Sequence, residues 1–531
     1  MKRLDRLLFP RGHLLNFLLI TILSGAIALI LAGRQIYQAN WGVIDDSEIF
    51  GFLGRGLRLP LTDVWHTLLT KTEVGSLQGR FRPTYYTLRL IETSLWGPNV
   101  HLWYLAHTAC FAVFLSSIWW FMRRFVGGWL SGVLTAYISL LPLWSDVWSR
   151  LGPSETYGAL FVGIMVFASY FILFSQTRPT RNTNAILLTL ATIALVGLKE
   201  TFIPLAGGAA CVLLFAGIRK NLSPLLIGIL GLMILTALGG IVFVVARQVG
   251  ASGTDVYASP IGPWPVLKFF GKGLYYAIGR TWWLYVIPIL FFEILNVIPR
   301  KSLKSWIADS AVAFSVYGFL VVSYATQSAL YRFGFPVNAR YDFPAMLLVP
   351  LTGCIIACEV SRKIRAHLPE RTVDYAQLAA AAFVFFGFGV GSGYLDHTKP
   401  LSVAVKANIE KTNSFYSELQ RAVGAAKKSP QSPVILEAYG PGAFESVYSL
   451  LTYLSAFGAT NRVSIRLHPD SMSYGKFYDD LEHALSEMQD TGAPGFTPLR
   501  DGLADLSHGC ISIGINGLPD AGCSGFRVRA P

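Results

Sequence analysis

Three carboxylates stand within four residues in the stretch Asn40-Trp41-Gly42-Val43-Ile44-Asp45-Asp46-Ser47-Glu48, which follows the first long apolar run of the chain. Acids crowded where apolar chain meets water repel one another and lose hydration, which raises their proton affinity. Such a group suits proton abstraction, or the holding of a hard cation. A plainer reading of the same residues is a solvated loop that opens a helix, with Asp46 or Ser47 as its cap. What the rest of the chain brings to the same boundary separates the two readings.

The elements that must position this stretch are membrane spans. A chain of 531 residues that is 53% hydrophobic and only 14% charged has too little polar surface for a soluble protein. Apolar runs near 14–33, 99–121, 126–143, 157–175, 183–198, 201–218, 223–246, 273–297, 307–330, 343–360 and 375–394 predict an α-helical polytopic membrane protein of about 11 transmembrane helices. The first run is longer than a signal-peptide core and lacks a small-residue cleavage site, so it reads as a helix. Basic clusters fall in alternate loops: Lys2, Arg3 and Arg6; Arg123 and Arg124; Arg178 and Arg181; Arg219 and Lys220; Arg300, Lys301 and Lys304; Arg362, Lys363 and Arg365. By the positive-inside rule these loops and the amino terminus are cytoplasmic, and an odd number of spans puts the carboxyl terminus outside. The formal charge of +13 thereby belongs to cytoplasmic loops and lipid headgroups rather than to nucleic-acid binding.

On the outer side this leaves the long 34–98 segment, the loop from Asp146 to Glu155, the Lys199-Glu200 turn, the 247–272 and 332–341 loops, and the tail. Within 34–98, the stretch Thr84 to Leu95 has apolar residues at helical spacing and reads as a helix along the membrane surface. Residues 1–394 form the expected transmembrane domain, and 395–531 an extracytoplasmic soluble α/β domain. Strand-like runs lie at 434–439, 462–468 and 510–515, with helical stretches up to Phe457 and from Lys476 to Met488. Tyr439-Gly440-Pro441-Gly442 begins like a nucleotide fingerprint but lacks the third glycine. Cys510 and Cys523 are the disulfide candidates, against the alternative of two thiols.

The outer segments also carry cations: Arg80 and Arg82 in Gly79-Arg80-Phe81-Arg82-Pro83, Arg150 between Asp146 and Glu155, Lys199 beside Glu200, and Arg340 before Tyr341. Cations on the translocated side run against the positive-inside bias and point to an anionic ligand such as a lipid phosphate. Snorkelling or internal ion pairing is the structural alternative for each.

Taken together, the Asp45-Asp46 pair opening the first outer loop, the GRFRP stretch ahead of the second span, the acid in the next outer loop and the Lys-Glu pair resemble the membrane glycosyltransferases of the C-type (GT-C) superfamily. That superfamily includes the protein O-mannosyltransferases, the lipid A aminoarabinose transferases and the mycobacterial arabinofuranosyltransferases. The resemblance covers roughly residues 10–360. The pair is Asp-Asp rather than the Asp-Glu of the protein mannosyltransferases, a departure that leaves a protein acceptor unsupported. It implies a multi-pass protein of the bacterial inner (plasma) membrane that transfers a sugar from a polyprenyl-phosphate donor to an extracytoplasmic glycan or glycolipid. Asp45 would be the base, with Asp46 beside it. Lys199, Arg82 and Arg340, with Arg280 in reserve, would hold the donor phosphate. Glu48, Arg80, Asp146, Glu155, Glu200 and Tyr341 would support them. A divalent cation (Mg, Mn or Ca) on Asp46 and Glu48 ranks second to a base-only site. The rival is a transporter or flippase of lipid-linked saccharides, which would bury charge near mid-membrane and often shows repeats; here the charges flank spans. A tail-driven adhesion or assembly protein would need fewer spans.

Overall fold

The computed structural model describes residues 13–76, 81–126, 128–218, 222–250, short pieces within 264–278 and 318–329, residues 343–344, 400–438, 443–467, 496–498, 510–515 and 523–528. Its helices are α1 (His13–Ala32), α2 (Arg34–Gln38), α3 (Asp45–Leu53), α4 (Val64–Thr70), α5 (Glu73–Ser76), α6 (Pro83–Trp96), α7 (Val100–Val126), α8 (Gly128–Ser139), α9 (Ser145–Trp148), α10 (Glu155–Phe174), α11 (Arg178–Val196), α12 (Ile203–Ile218), α13 (Pro224–Gly250), α14 (Leu401–Lys428) and α15 (Ala443–Ala456). Five stretches among the described residues are long and apolar enough to cross a membrane: Leu14–Ala32, Val100–Arg123, Glu155–Phe174, Glu200–Ile218 and Pro224–Phe243. The chain is thus a mostly helical membrane protein.

Two expected spans differ. The apolar run 126–143 yields only the 12-residue α8, about 18 Å long and too short for a ~30 Å hydrocarbon core. Pro142, which has no N–H to continue the ladder, opens a 3-10 turn to Trp144. The apolar residues beyond it fill the protein interior rather than face lipid. Trp144 and Trp148 are buried against Phe111 and Phe114 of α7, with Phe111 stacked on Trp148 at 4.6 Å. The run 183–198 lies in α11, whose start is polar through Arg178, Arg181, Asn182 and Asn184, and α11 is not among the five. The runs 273–297, 307–330, 343–360 and 375–394 lie mostly outside the described residues.

Helix α6 covers the stretch expected along the membrane surface. It starts with Pro83 at its first turn, where the missing N–H is harmless. One face, Tyr85, Tyr86, Arg89, Leu90 and Thr93, is buried inside the protein. That face is polar at its centre.

In the C-terminal part, α14 was not anticipated from the sequence. Its buried positions Leu401, Val405, Ile409, Thr412, Phe415, Leu419, Ala422, Val423 and Ala426 follow three- and four-residue steps, the signature of one packed face. Five strands, β1 (Val434–Ala438), β2 (Val463–Leu467), β3 (Phe496–Pro498), β4 (Ile511–Ile515) and β5 (Ser524–Val528), form a parallel sheet in the order β3-β2-β1-β4-β5. Leu436 pairs with Ile465 on one side and Ile513 on the other, so the central strand is apolar as a covered parallel sheet requires. Its one acid, Glu437, is buried and takes Arg466 of β2 as partner at 3.0 Å. Cys510 and Cys523, before β4 and β5, are joined by a disulfide. The stretches 439–442 and 476–488 lie outside the described residues. Helix α14 packs on α1, α2 and α9, and α15 packs on α3, so the C-terminal unit and the acidic stretch share one core.

Candidate functional site

The site starts from an unusual backbone. Ile44 takes φ 78 and ψ −104, a conformation that a β-branched residue avoids. Helix α3 begins at the next residue, with Asp45, Asp46 and Glu48 in its first turn, where the helix dipole favours negative charge. Neither Asp46 nor Ser47 caps the helix: the capping position is Ile44, and it makes no side-chain cap bond. Instead the Asp46 carboxylate turns back to accept the Gly42 N–H at 2.6 Å, and the Ser47 hydroxyl donates to the Ile44 carbonyl at 2.6 Å.

Adjacent in sequence, the two aspartates have opposite environments. Asp46 is 5% exposed, and burial, reinforced by the charge of Asp45, pushes its pKa up to about 6 despite the opposing Gly42 hydrogen bond. The Asp45 side chain keeps 31% of its surface and stands 3.6 Å from the Arg150 guanidinium. Gly152 is also against it. At φ +105, a β-carbon on Gly152 would lie 2.1 Å from the Asp45 Cβ and 2.8 Å from its Oδ2. Only glycine leaves room for that carboxylate.

Behind Asp45, Glu48 accepts the Tyr85 hydroxyl at 3.0 Å and lies 3.7 Å from Arg89. The same hydroxyl lies 3.2 Å from the Gly152 carbonyl and shares its one proton between the two acceptors, tying α6 to the loop that carries Arg150. Burial pushes the Tyr85 phenol upward, so it stays a neutral donor. Arg89 is fully buried, donates to the Tyr85 oxygen at 3.3 Å and lies over the Trp103 ring at 5.4 Å. Arg82 sits over the rings of Tyr85 and Tyr86 at 5.1 and 5.4 Å and donates to the Tyr86 hydroxyl at 3.2 Å. Glu92, on the same helix, accepts the Tyr157 hydroxyl.

Of the residues expected from sequence, Asp45, Glu48 and Arg82 therefore meet around Tyr85, while Asp46 turns away to Gly42. Lys199 is buried and bonded to Glu155 at 2.6 Å, the internal ion pair that was the structural alternative for it. The pair lies near the start of α6, since the Thr84 N–H bonds to the Gly197 carbonyl at 3.0 Å. Asp146 and Glu200 are half-buried at the starts of α9 and of the Glu200–Phe202 turn, without a side-chain ion pair to a described residue. Arg80, Arg280, Arg340 and Tyr341 lie outside the described residues. Asp46 and Glu48 each face donors of the chain itself. Among the described residues no group of three His, Cys, Asp or Glu side chains could hold a metal ion.

Sequence reasoning missed Tyr85, Arg89, Gly152 and Lys411 as site residues, and named Arg150 only in passing. Tyr85, Arg89 and Thr93 recur every four residues, a polar stripe that marks a buried polar face within α6. Lys411, half-buried on α14, has its pKa lowered to about 8 by burial and by Arg150, with Asp46 opposing. No local signal places it there.

No protein-family model and no curated protein matches the chain. Among solved structures it is similar to the crystal structure of ArnT from Cupriavidus metallidurans bound to undecaprenyl phosphate. The match has 13% identity, covers 90% of this chain and 89% of that one, and has a TM-score of 0.40.

Proposed function

We propose that this chain is a membrane glycosyltransferase that moves a sugar from a polyprenyl-phosphate-linked donor to an extracytoplasmic glycan or glycolipid acceptor, with Asp45 as general base. The observation that carries the reading is the division between the two acids: Asp45 is accessible, beside Arg150 and a glycine that makes room for it, whereas Asp46 is buried and occupied by Gly42. A base must reach substrate, and of the pair only Asp45 can.

In this reading Asp45 accepts the proton of the acceptor hydroxyl as that oxygen attacks the anomeric carbon. The bond from that carbon to the donor phosphate breaks, and a polyprenyl phosphate leaves with the electron pair. A phosphate leaving group needs cations rather than an acid. Arg150 and Arg82 are described sources beside the acidic stretch, with Arg280 and Arg340 as further proposed contributors. Lys199 acts through Glu155, fixing the turn that anchors α6. The topology goes with this reading: amino terminus in the cytoplasm, residues 1–394 as the transmembrane domain, and 395–531 as an extracytoplasmic domain whose disulfide suits an oxidising compartment.

The test is purified protein supplied with a panel of polyprenyl-phosphate sugars and acceptor glycans, with products read by mass spectrometry. Asp45→Asn should reduce transfer by at least about 100-fold while donor binding persists. Asp46→Asn, which keeps an acceptor for the Gly42 N–H, should do less. Half of wild-type turnover in Asp45→Asn would refute the base assignment.

A further inference from the structure

The backbone that presents Asp45 is held from a distance. The C-terminal unit reaches the acidic stretch through α15: the Tyr453 hydroxyl donates to the Gly42 carbonyl at 2.7 Å, and the Ile44 N–H donates to Ser449 Oγ at 2.9 Å. These two bonds fix two successive peptide planes, the one after Gly42 and the one after Val43. A third plane, after Ile44, is fixed locally by the Ser47 N–H at 3.1 Å. Between the second and third planes lies the Ile44 φ of 78. A β-branched residue holds such a conformation only where its surroundings over-determine it.

The rest of the contact is consistent with a rigid grip rather than a loose tether. Asn40 bonds to Thr412 and Asn413 of α14 at 3.2 and 2.8 Å, and Asn413 bonds back to the Gln38 carbonyl at 2.9 Å. Phe50 of α3 packs on Tyr453 and Phe457, with ring centres 4.8 and 5.3 Å apart. Ser449 itself is fully buried. Without its hydroxyl, the Ile44 N–H would lose its acceptor in a place water does not reach, and the nearest relief is rotation of that peptide toward an ordinary conformation. Such a rotation would swing the first residue of α3, which is Asp45.

We propose that the C-terminal unit is a positioning element of the Asp45 site, in which Ser449 and Tyr453 hold Ile44 in its left-handed backbone state and so keep Asp45 beside Arg150 and Gly152. The tail is then part of the centre's architecture, and the site is incomplete without it. The catalytic consequence rests on the transferase reading above, whereas the positioning itself does not.

Two variants cut the grip without adding bulk: Tyr453→Phe removes the bond to the Gly42 carbonyl, and Ser449→Ala removes the acceptor of the Ile44 N–H together with a 3.1 Å contact to the Ser47 hydroxyl. A third, Asn408→Ala, removes a bond of the same interface, to Tyr104 at 3.0 Å, that does not involve the Gly42–Ile44 backbone. Amide hydrogen exchange of residues 43–48, read by mass spectrometry on the full-length protein, reports the backbone directly. Each of the first two variants should speed that exchange about tenfold, the worth of one buried hydrogen bond, and lower kcat by about tenfold at unchanged donor KM. Asn408→Ala should change neither. Unchanged exchange in Ser449→Ala and Tyr453→Phe overturns the proposal, as does faster exchange with kcat unaltered. An equal effect from Asn408→Ala also overturns it, because general docking would then explain everything. If the wild type transfers no sugar from any donor, the transferase reading fails by itself, and the exchange result still decides the positioning.

Discussion

Gly152→Ala tests the geometry of the site most sharply. The β-carbon it adds would stand 2.1 Å from Asp45 Cβ, and ordinary contact begins at 3.4 Å, so one group must retreat by about 1.3 Å. The loop cannot easily give way, because the Gly152 carbonyl is bonded to Tyr85 and Arg150 is paired with Asp45. Asp45 must move. Displacing a reacting group by about 1 Å lowers rate by roughly 100-fold, equivalent to about 2.7 kcal/mol in the barrier. A separate penalty, on the order of 1–3 kcal/mol in stability, comes from forcing alanine into a backbone conformation at φ +105. Gly97→Ala isolates that second effect, since Gly97 has φ +54 and nothing within 4 Å of its added carbon. Turnover and melting temperature of both variants should be measured in one detergent with one donor. Both should melt lower than wild type, but only Gly152→Ala should lose about two orders of magnitude in kcat with donor KM nearly constant. If Gly152→Ala keeps more than half of wild-type turnover, the placement of Asp45 against this loop is wrong.

Lys199→Met should lower stability by about 3–5 kcal/mol, because it removes the cation bonded to the buried Glu155 carboxylate. Adding Glu155→Gln should recover most of the loss, and a double variant no more stable than the single one would contradict the ion-pair assignment. Asp46 gives a pH prediction. Its folded value of about 6 lies above the ordinary 3.8, so the folded protein holds this proton more tightly than the unfolded chain does. Its contribution to stability is full below about pH 4 and declines as pH rises to 6, by about 3 kcal/mol in all. Asp46→Asn should remove that decline, so its melting temperature should gain on the wild type between about pH 4 and 6 and keep that gain above. A parallel pH profile for the two proteins would exclude the buried charge as its source. Paired Cys510→Ser and Cys523→Ser changes open a link across 13 residues and should destabilise the C-terminal unit by about 3 kcal/mol. Proteolysis after gentle warming should then cut the tail first, and equal protection with and without the bridge would speak against that figure.

How much of this was legible in the sequence depends on whether the deciding physics is local. Membrane character follows from an excess of apolar side chains that no water-facing fold can hide, and most described spans follow from run length alone. Strands β1, β2 and β4 were readable because each is a short, largely apolar run bounded by turn residues. The run 126–143 misled because length does not reveal whether apolar residues face lipid or a packed aromatic core such as Trp144 and Trp148. Acid density likewise marked 45–48 as unusual but left two adjacent aspartates equivalent. The resemblance singled out the first of the pair, and the tertiary structure supplies the physical difference: successive helical residues point about 100° apart, so Asp45 meets Arg150 and Gly152 while Asp46 turns inward to Gly42. Long-range partners were invisible for the same reason. Lys199 finds Glu155 across 44 residues, and Ile44 finds Ser449 across 405. Burial and hydrogen bonding between such distant segments are properties of the packed chain, set by which helices meet, and no local pattern of residues encodes them.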